Sequence, residues 1–229
     1  MKKHKFSVFE LFYPRRCVFC GRILDKNASE DICRDCVLKL PYTGSDWKAR
    51  GEFFEYCAAP LYYEGIAAEA VRRFKFGGKS SYARLMGRMI GNCAAAHCAG
   101  EFDVITWVPI SRRRMRKRGY CQARLLAQEA AKRLGADCVR LLKKRRHTPP
   151  QSTLHGLAER RANVSGAFTA TDRDKIAGRD VLLIDDVITT GATLSECTRI
   201  LLMAGANSVR CAVLCRAREK NAKGRRTSA

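Results

Sequence analysis

The sequence predicts an open α/β fold: a mostly parallel sheet flanked by helices, preceded by a small four-cysteine module. Three observations carry this expectation. Short apolar runs alternate with amphipathic stretches, the last of them form a strand–helix–strand pattern, and two Cys-x2-Cys pairs stand near the start.

The last unit is the clearest. Asp180-Val-Leu-Leu-Ile-Asp185 is an apolar run bounded by acids and reads as a buried strand. A turn follows at Thr189-Thr190-Gly191, then a helix with Leu194, Cys197, Leu201 and Ala204 on one face. Gly205 closes that helix, and Ser208 to Cys215 is a second apolar strand. Such a unit implies parallel pairing and a right-handed crossover. Upstream, Asp103 to Val108 reads as a short buried strand closed by Pro109. Ala123, Leu126, Ala127, Ala130, Ala131 and Leu134 mark a helical face ended by Gly135. Helices are also expected over Glu64–Phe76 and Ser81–Cys98, with strands near Cys57–Tyr63 and Cys138–Leu142. Lys143 to Phe168, with Pro149-Pro150, reads as loop-rich and mobile. The expected organisation is a four-cysteine zinc module over 1–40, an aromatic-rich join over 41–60, a main domain over 61–218 and a basic tail over 219–229.

With 229 residues, 46 % of them apolar, the chain has enough material for one buried core and is not of disordered composition. Lys and Arg number 44 against 22 acids, a formal charge of +22. That imbalance costs self-repulsion unless an anionic partner offsets it, so nucleic acid, polyphosphate ligands and anionic membrane surfaces are all candidates. No apolar segment is long enough to span a bilayer. Lys2 and Lys3 precede Phe6–Phe12, which is too short for a signal peptide and carries Glu10, so it reads as an amphipathic lead-in. A cytoplasmic location is expected, and in that reducing setting the 12 cysteines point to metal binding and core packing rather than disulfides.

Cys17-x2-Cys20 and Cys33-x2-Cys36 are separated by 12 residues. Each pair brings two thiolates from one tight turn to the same ion, and two pairs close a tetrahedral structural zinc site. Gly21 supplies a permissive backbone after the first pair. The apolar content of residues 1–40 is too low for independent folding, so metal is expected to supply much of the folding energy. Cys197, Cys211 and Cys215 read as small buried hydrophobes. Cys93 and His97 have a spacing that suits a shared metal, but an alanine-rich helix with a tolerated histidine is the simpler reading, and no second metal is assigned. In the join, Tyr42, Trp47, Phe53, Phe54, Tyr56, Tyr62 and Tyr63 accompany Lys48 and Arg50. Rings among cations either cement an interdomain contact, the commoner outcome, or stack unpaired bases.

The strand from Asp180 ends in Asp185-Asp186-Val187-Ile188-Thr189-Thr190-Gly191-Ala192-Thr193. Two carboxylates at a strand end suit vicinal hydroxyls, held directly or through hydrated magnesium. The turn leads straight into a helix, whose first N–H groups and positive end suit a phosphate. The hydroxyls of Thr189, Thr190 and Thr193 add donors, and Gly191 admits close backbone approach. Together they describe a holder for a ribose 5-phosphate. A capping box at Thr193-x-x-Glu196 explains the helix start but not the acids or the threonines. A Walker A loop is excluded, because no Gly-Lys-Ser/Thr follows.

The string Val181 to Leu194, VLLIDDVITTGATL, resembles the phosphoribosyl diphosphate signature of type I phosphoribosyltransferases. The chain as a whole resembles the ComF family of competence-associated proteins. The resemblance rests on the paired CxxC motifs, Phe74-Lys75-Phe76-Gly77-Gly78, Val108-Pro109, Arg118-Gly119-Tyr120-Cys121-Gln122-Ala123, and Gln151 with Arg160-Arg161-Ala162-Asn163. Cys121 departs from the asparagine usual in the family. The resemblance implies a type I phosphoribosyltransferase-like sheet and structural zinc. It also implies magnesium with phosphoribosyl diphosphate, or a similar ribose phosphate, as ligand, and a role in DNA uptake during natural transformation or in nucleotide metabolism. Asp185 and Asp186 are then implied to contact ribose hydroxyls, and Thr189, Thr190, Gly191, Ala192 and Thr193 to wrap the 5′-phosphate. The basic loop after Pro109, with Arg112, Arg113, Arg118 and Gly119, takes the position of the pyrophosphate loop, and Arg161 lies in the flexible hood. Thr189 stands where purine-salvage relatives carry an aspartate base, and a threonine has no useful pKa for that step, so purine-salvage chemistry is disfavoured.

The rival class is a non-catalytic factor that binds single-stranded DNA beside DNA-uptake proteins. It would use Arg112–Arg118, Lys143-Lys-Arg-Arg146 and the tail with Lys220, Lys223, Arg225 and Arg226. A charge of +22 exceeds what one pyrophosphate needs, and a retained sugar-phosphate pocket is compatible with a DNA-binding face. Metal analysis of the purified protein is expected to return about one zinc per chain; a metal-free protein would discredit the four-cysteine assignment. Single-stranded DNA affinity is expected to fall steeply with salt and to be lost when Arg112–Arg118 are neutralised. A flat salt titration would rule out the electrostatic account.

Overall fold

The computed structural model describes residues 14–25, 27–146, 148 and 157–218. The N-terminal lead-in, Pro149-Pro150, Gln151 and the basic tail lie outside them. Among the described residues the first elements are a helix, α1 (Arg34–Lys39), and three two-residue strands, β1 (Lys48–Ala49), β2 (Cys57–Ala58) and β3 (Leu61–Tyr62). Helices α2 (Gly65–Phe76) and α3 (Ala83–His97) lead to β4 (Val104–Trp107). Then come α4 (Arg112–Arg118), α5 (Gln122–Leu134) and β5 (Asp137–Cys138). A hood of β6 (Leu142–Lys144), α6 (Leu157–Val164) and β7 (Phe168–Ala170) precedes the final β8 (Asp180–Ile188), α7 (Ala192–Met203) and β9 (Ser208–Arg216).

The main sheet runs β1-β2-β9-β8-β4-β5, with β3 also on β9. Only β1 is antiparallel to its neighbour; every other pairing is parallel. Because successive side chains in a strand face opposite sides, β8 feeds two cores. Leu182 and Ile184 join Val71 and Phe74 of α2, Met86 and Ile90 of α3 and Leu126 of α5. Val181 and Leu183 join Leu194, Cys197 and Leu201 of α7 and the hood residues Leu142, Val164 and Phe168. On the first face α3 and α5 lie close because Gly87 and Gly91 carry no side chain. A Cβ at Gly87 would stand 2.5 Å from Glu129 Cβ, and one at Gly91 would stand 2.9 Å from Arg133 Cβ.

The expected strand over Asp180–Asp185 continues to Ile188 because β9 pairs with it as far as Ile188↔Arg216. The expected basic loop after Pro109 is instead the helix α4. Ser111 Oγ accepts from the Arg114 N–H at its start, and Gly119 at φ +79° ends it. A serine cap and a glycine stop thus outweigh the repulsion among the cations between them. The join also acquires a definite role. Trp47 stacks on His97 at 3.8 Å and meets Tyr56 edge-on at 5.6 Å, while Phe54, Tyr56 and Tyr62 are buried. Trp47 and Tyr56 pack the β1–β3 edge against α3 at His97, whereas Phe54 lies in the core on the other face of the sheet.

The strand order places the site. From β4 the chain crosses through α5 to β5 on one side, and from the adjacent β8 it crosses through α7 to β9 on the other. Adjacent parallel strands whose connections leave in opposite directions open a crevice at their carboxyl ends.

Candidate functional site

Two segments meet at that crevice: Val108 to Arg118 after β4, and Asp185 to Thr193 at the end of β8. The Val108 N–H donates to Ile184 O at 3.0 Å, fixing the two strand ends side by side. Asp185 Oδ1 accepts from the Asp186 N–H at 2.8 Å. Strand alternation sends the two carboxyls to opposite faces. Asp186 Oδ1 meets Lys75 Nζ of α2 at 2.7 Å, and Asp185 lies in the field of Lys144 on the hood side. Burial, reinforced by the charge of Asp186, pushes the Asp185 carboxyl up to about 7 against the opposing pull of Lys75. Burial, with help from Arg114, brings the Lys144 ammonium down to about 8, while its tip sits 4.7 Å from the centre of the Phe168 ring.

The turn after β8 leads directly into α7. Gly191, at φ +75°, is the residue before α7, whose first residue is Ala192. Thr193 therefore lies inside the first turn and forms no capping box. Glu196 instead accepts from the Gly166 N–H at 2.9 Å and pairs with Arg199. Thr189 is exposed, and Thr190 buries its Oγ1 with no protein partner among the described residues. The group lying against Gly191 is Phe54, whose ring is 3.6 Å from where a Cβ would stand. Beside it the Glu52 N–H donates to Ser195 Oγ at 3.3 Å, and the Glu52 carboxylate pairs with Arg161 at 3.1 Å. Arg161 is thus held over the first turn of α7.

The candidate pyrophosphate residues spread along α4. Arg112 and Arg113 are exposed at its start, and Arg114 donates to Thr148 O at 2.9 Å. Arg118 donates to Gln122 Oε1 at 3.0 Å, and Gly119 turns the chain into α5. Sequence reasoning misses Lys75 and Lys144 as neighbours of the site. Lys75 sits inside the Phe74–Gly78 segment noted above, yet nothing in its spacing announces Asp186, 111 positions away. Lys144 reads in sequence as one of a cluster with the exposed Lys143, Arg145 and Arg146, and it turns inward alone.

In the N-terminal module, the Sγ atoms of Cys17, Cys20, Cys33 and Cys36 all lie within 4.8 Å of one another. Among the described residues no other group of three or more such side chains does so. Cys20 and Cys33 Sγ are 3.7 Å apart. Two thiolates about 2.3 Å from a tetrahedral zinc stand about 3.8 Å from each other, so the donor set fits the ion. The first knuckle docks on α2, where Arg73 Nη2 donates to Phe19 O at 2.6 Å and to Val18 O at 3.2 Å. Phe19 is buried in the same core as Phe74.

Known proteins bear on this arrangement directly. The phosphoribosyl transferase domain family matches residues 122–227, and the double zinc ribbon domain family matches residues 8–69. The DNA utilization protein YhgH of Escherichia coli K12 is 30 % identical over 206 residues, 87 % of this chain and 83 % of that protein. The chain belongs to the ComF family. Competence protein F of Haemophilus influenzae is 29 % identical over 228 residues, 90 % of this chain and 99 % of its own length. Competence protein ComFC of Bacillus subtilis is 27 % identical over 192 residues, 82 % and 72 % of the two chains. The fold is a type I phosphoribosyltransferase-like sheet preceded by a four-cysteine zinc module. Among the described residues no helix is long and apolar enough to cross a membrane.

The perturbed acid makes a pH prediction. A carboxyl raised in the folded protein binds its proton where the unfolded chain has lost it, so stability falls as pH rises from about 4 through about 7. Asp185→Asn removes that contribution. Denaturant titrations across this range are expected to show the variant gaining on the parent as pH rises. A constant difference would place Asp185 in water.

Proposed function

We propose that this ComF-family protein binds phosphoribosyl diphosphate, with magnesium, across the carboxyl ends of β4 and β8, and acts in DNA uptake or utilisation or in nucleotide metabolism. The observation that carries the reading is the Thr190 hydroxyl, buried without a partner among the described residues, between the Asp185–Asp186 carboxylates and the left-handed Gly191 turn. A buried donor that lacks a partner costs free energy that a phosphate oxygen would return.

In this reading the main-chain N–H groups from Thr189 to Thr193 hold the 5′-phosphate, and Asp185 and Asp186 hold the ribose hydroxyls. Magnesium would neutralise part of the pyrophosphate charge. Arg112, Arg113 and Arg118, with Gly119 allowing the turn, lie on the pyrophosphate side, where fixed cations stabilise the departing group. Arg161, tethered through Glu52 to the first turn of α7, would help the hood exclude water. Lys75 pairs with Asp186 and positions its carboxylate at the strand end. If transfer to an acceptor occurs, the chemistry is pentosyl transfer with loss of pyrophosphate. The role in DNA uptake or utilisation is inferred from the names of the relatives. A second reading, a non-catalytic single-stranded DNA-binding factor, is favoured by the exposed Arg112, Arg113, Arg116 and Lys117 on α4. The two are compatible.

Asp185→Ala with Asp186→Ala is expected to abolish magnesium-dependent binding of phosphoribosyl diphosphate in calorimetry, with circular dichroism unchanged. Unaltered affinity in a folded variant would overturn the proposal.

A further inference from the structure

Of the rings in the join, Phe54, Tyr56 and Tyr62 are buried while Tyr42 and Phe53 are 51 % and 41 % exposed, but a more exposed aromatic stands among the cations of the site. Phe76, the last residue of α2, is 70 % exposed. A lone exposed phenylalanine is ordinary; this one is not alone. The Arg118 guanidinium lies 4.8 Å from its ring centre. Its neighbour Lys75 reaches into the crevice to Asp186, and the Lys75 carbonyl accepts from Gln122, which also receives Arg118. Arg72, one helical turn earlier on the same face, is exposed, as are Lys79 and the α4 cations Arg112, Arg113, Arg116 and Lys117. Neither of the two segments that meet here, 70–100 and 104–128, contains an Asp or Glu.

We infer that Phe76 and Arg118 form a stacking platform for an unpaired base of single-stranded nucleic acid, at the mouth of the β4/β8 crevice. The ring and the guanidinium plane supply sequence-tolerant π contact, and the surrounding cations track the phosphates. A free base would need the ring but not so extended a run of cations, and a duplex hides its base faces. This site goes beyond the phosphoribosyl diphosphate reading and does not require it.

Phe76 carries no charge and makes little burial, so its removal tests stacking apart from electrostatics and folding. Fluorescence anisotropy with a labelled oligo(dT) and the full-length protein is the direct measurement. Phe76→Ala is expected to bind about 5- to 150-fold more weakly with the salt slope unchanged, because it removes the base–aromatic stack and leaves every cation in place. Phe76→Trp is expected to restore the affinity, and a duplex of equal length to bind Phe76→Ala and the parent alike. Equal oligo(dT) affinity for the parent and Phe76→Ala would overturn the inference. So would a loss of the same size for single strand and duplex. Calorimetry with phosphoribosyl diphosphate on Phe76→Ala is expected to match the parent. Failure of the parent to bind that ligand would count against the earlier proposal and leave the platform standing.

Discussion

Everything at the site depends on one topological constraint: β4 and β8 are neighbours whose onward connections diverge. If both crossovers had left in the same direction, a helix would cover the gap between their carboxyl ends. Because they part, the backbone after Trp107 and the backbone after Ile188 flank an open crevice, and polar groups can sit there without being buried by a crossover. The apolar run of β8 is fully covered on both faces up to Ile184, and the two aspartates follow, Asp185 half-buried and Asp186 buried. The acids lie at the carboxyl end of β8, largely withdrawn from water.

Helix α2 ties this crevice to the zinc module. Within three residues it offers Arg73 to the carbonyls of Val18 and Phe19, Phe74 to the core, and Lys75 to Asp186. The Phe74 carbonyl in turn accepts from the Tyr120 hydroxyl just before α5. Further contacts hold the module from outside, among them Arg84 with Asp31 at 3.0 Å and Arg88 with Glu30 at 3.2 Å. Exposed pairs of this kind contribute little each, whereas burying Val18 and Phe19 against the first core removes apolar surface from water. The module is therefore packed as part of the main core rather than tethered beside it. The direct pairing of Lys75 with Asp186, both mostly shielded, is more consequential. Removing either partner would strand a charge in a poorly solvated place.

Surplus positive charge is divided between two tasks. Lys75 and Lys144 turn inward against Asp186 and Asp185, where they offset acids that would otherwise repel one another, and the buried Arg216 pairs with the exposed Asp46. Arg112, Arg113, Arg116 and Lys117 of α4 stay in solvent and have no such internal duty, which leaves them available to an anionic ligand. Net charge alone cannot make this distinction, since it counts Lys144 and Lys143 alike.

Local chemistry by itself determined the four-cysteine module, the βαβ ending and the acid-then-threonine turn. Metal spacing, period-two burial and glycine punctuation are written in neighbouring residues. The βαβ unit was legible because its helix stripe and its strands each need only a handful of positions to declare themselves. Tertiary structure decided what those positions meet. It turned the basic segment after Pro109 into a capped helix, set the Phe54 ring beside Gly191, and left the Thr190 hydroxyl without a partner among the described residues. It also joined Lys75 to Asp186 and left Phe76 in solvent while Phe54, Tyr56 and Tyr62 of the join went inward. The physical reason is one of range: propensity, capping and spacing act over a few residues, but a charge pair or an exposed ring is set by where separate elements dock. Docking follows from burying both faces of the sheet at once.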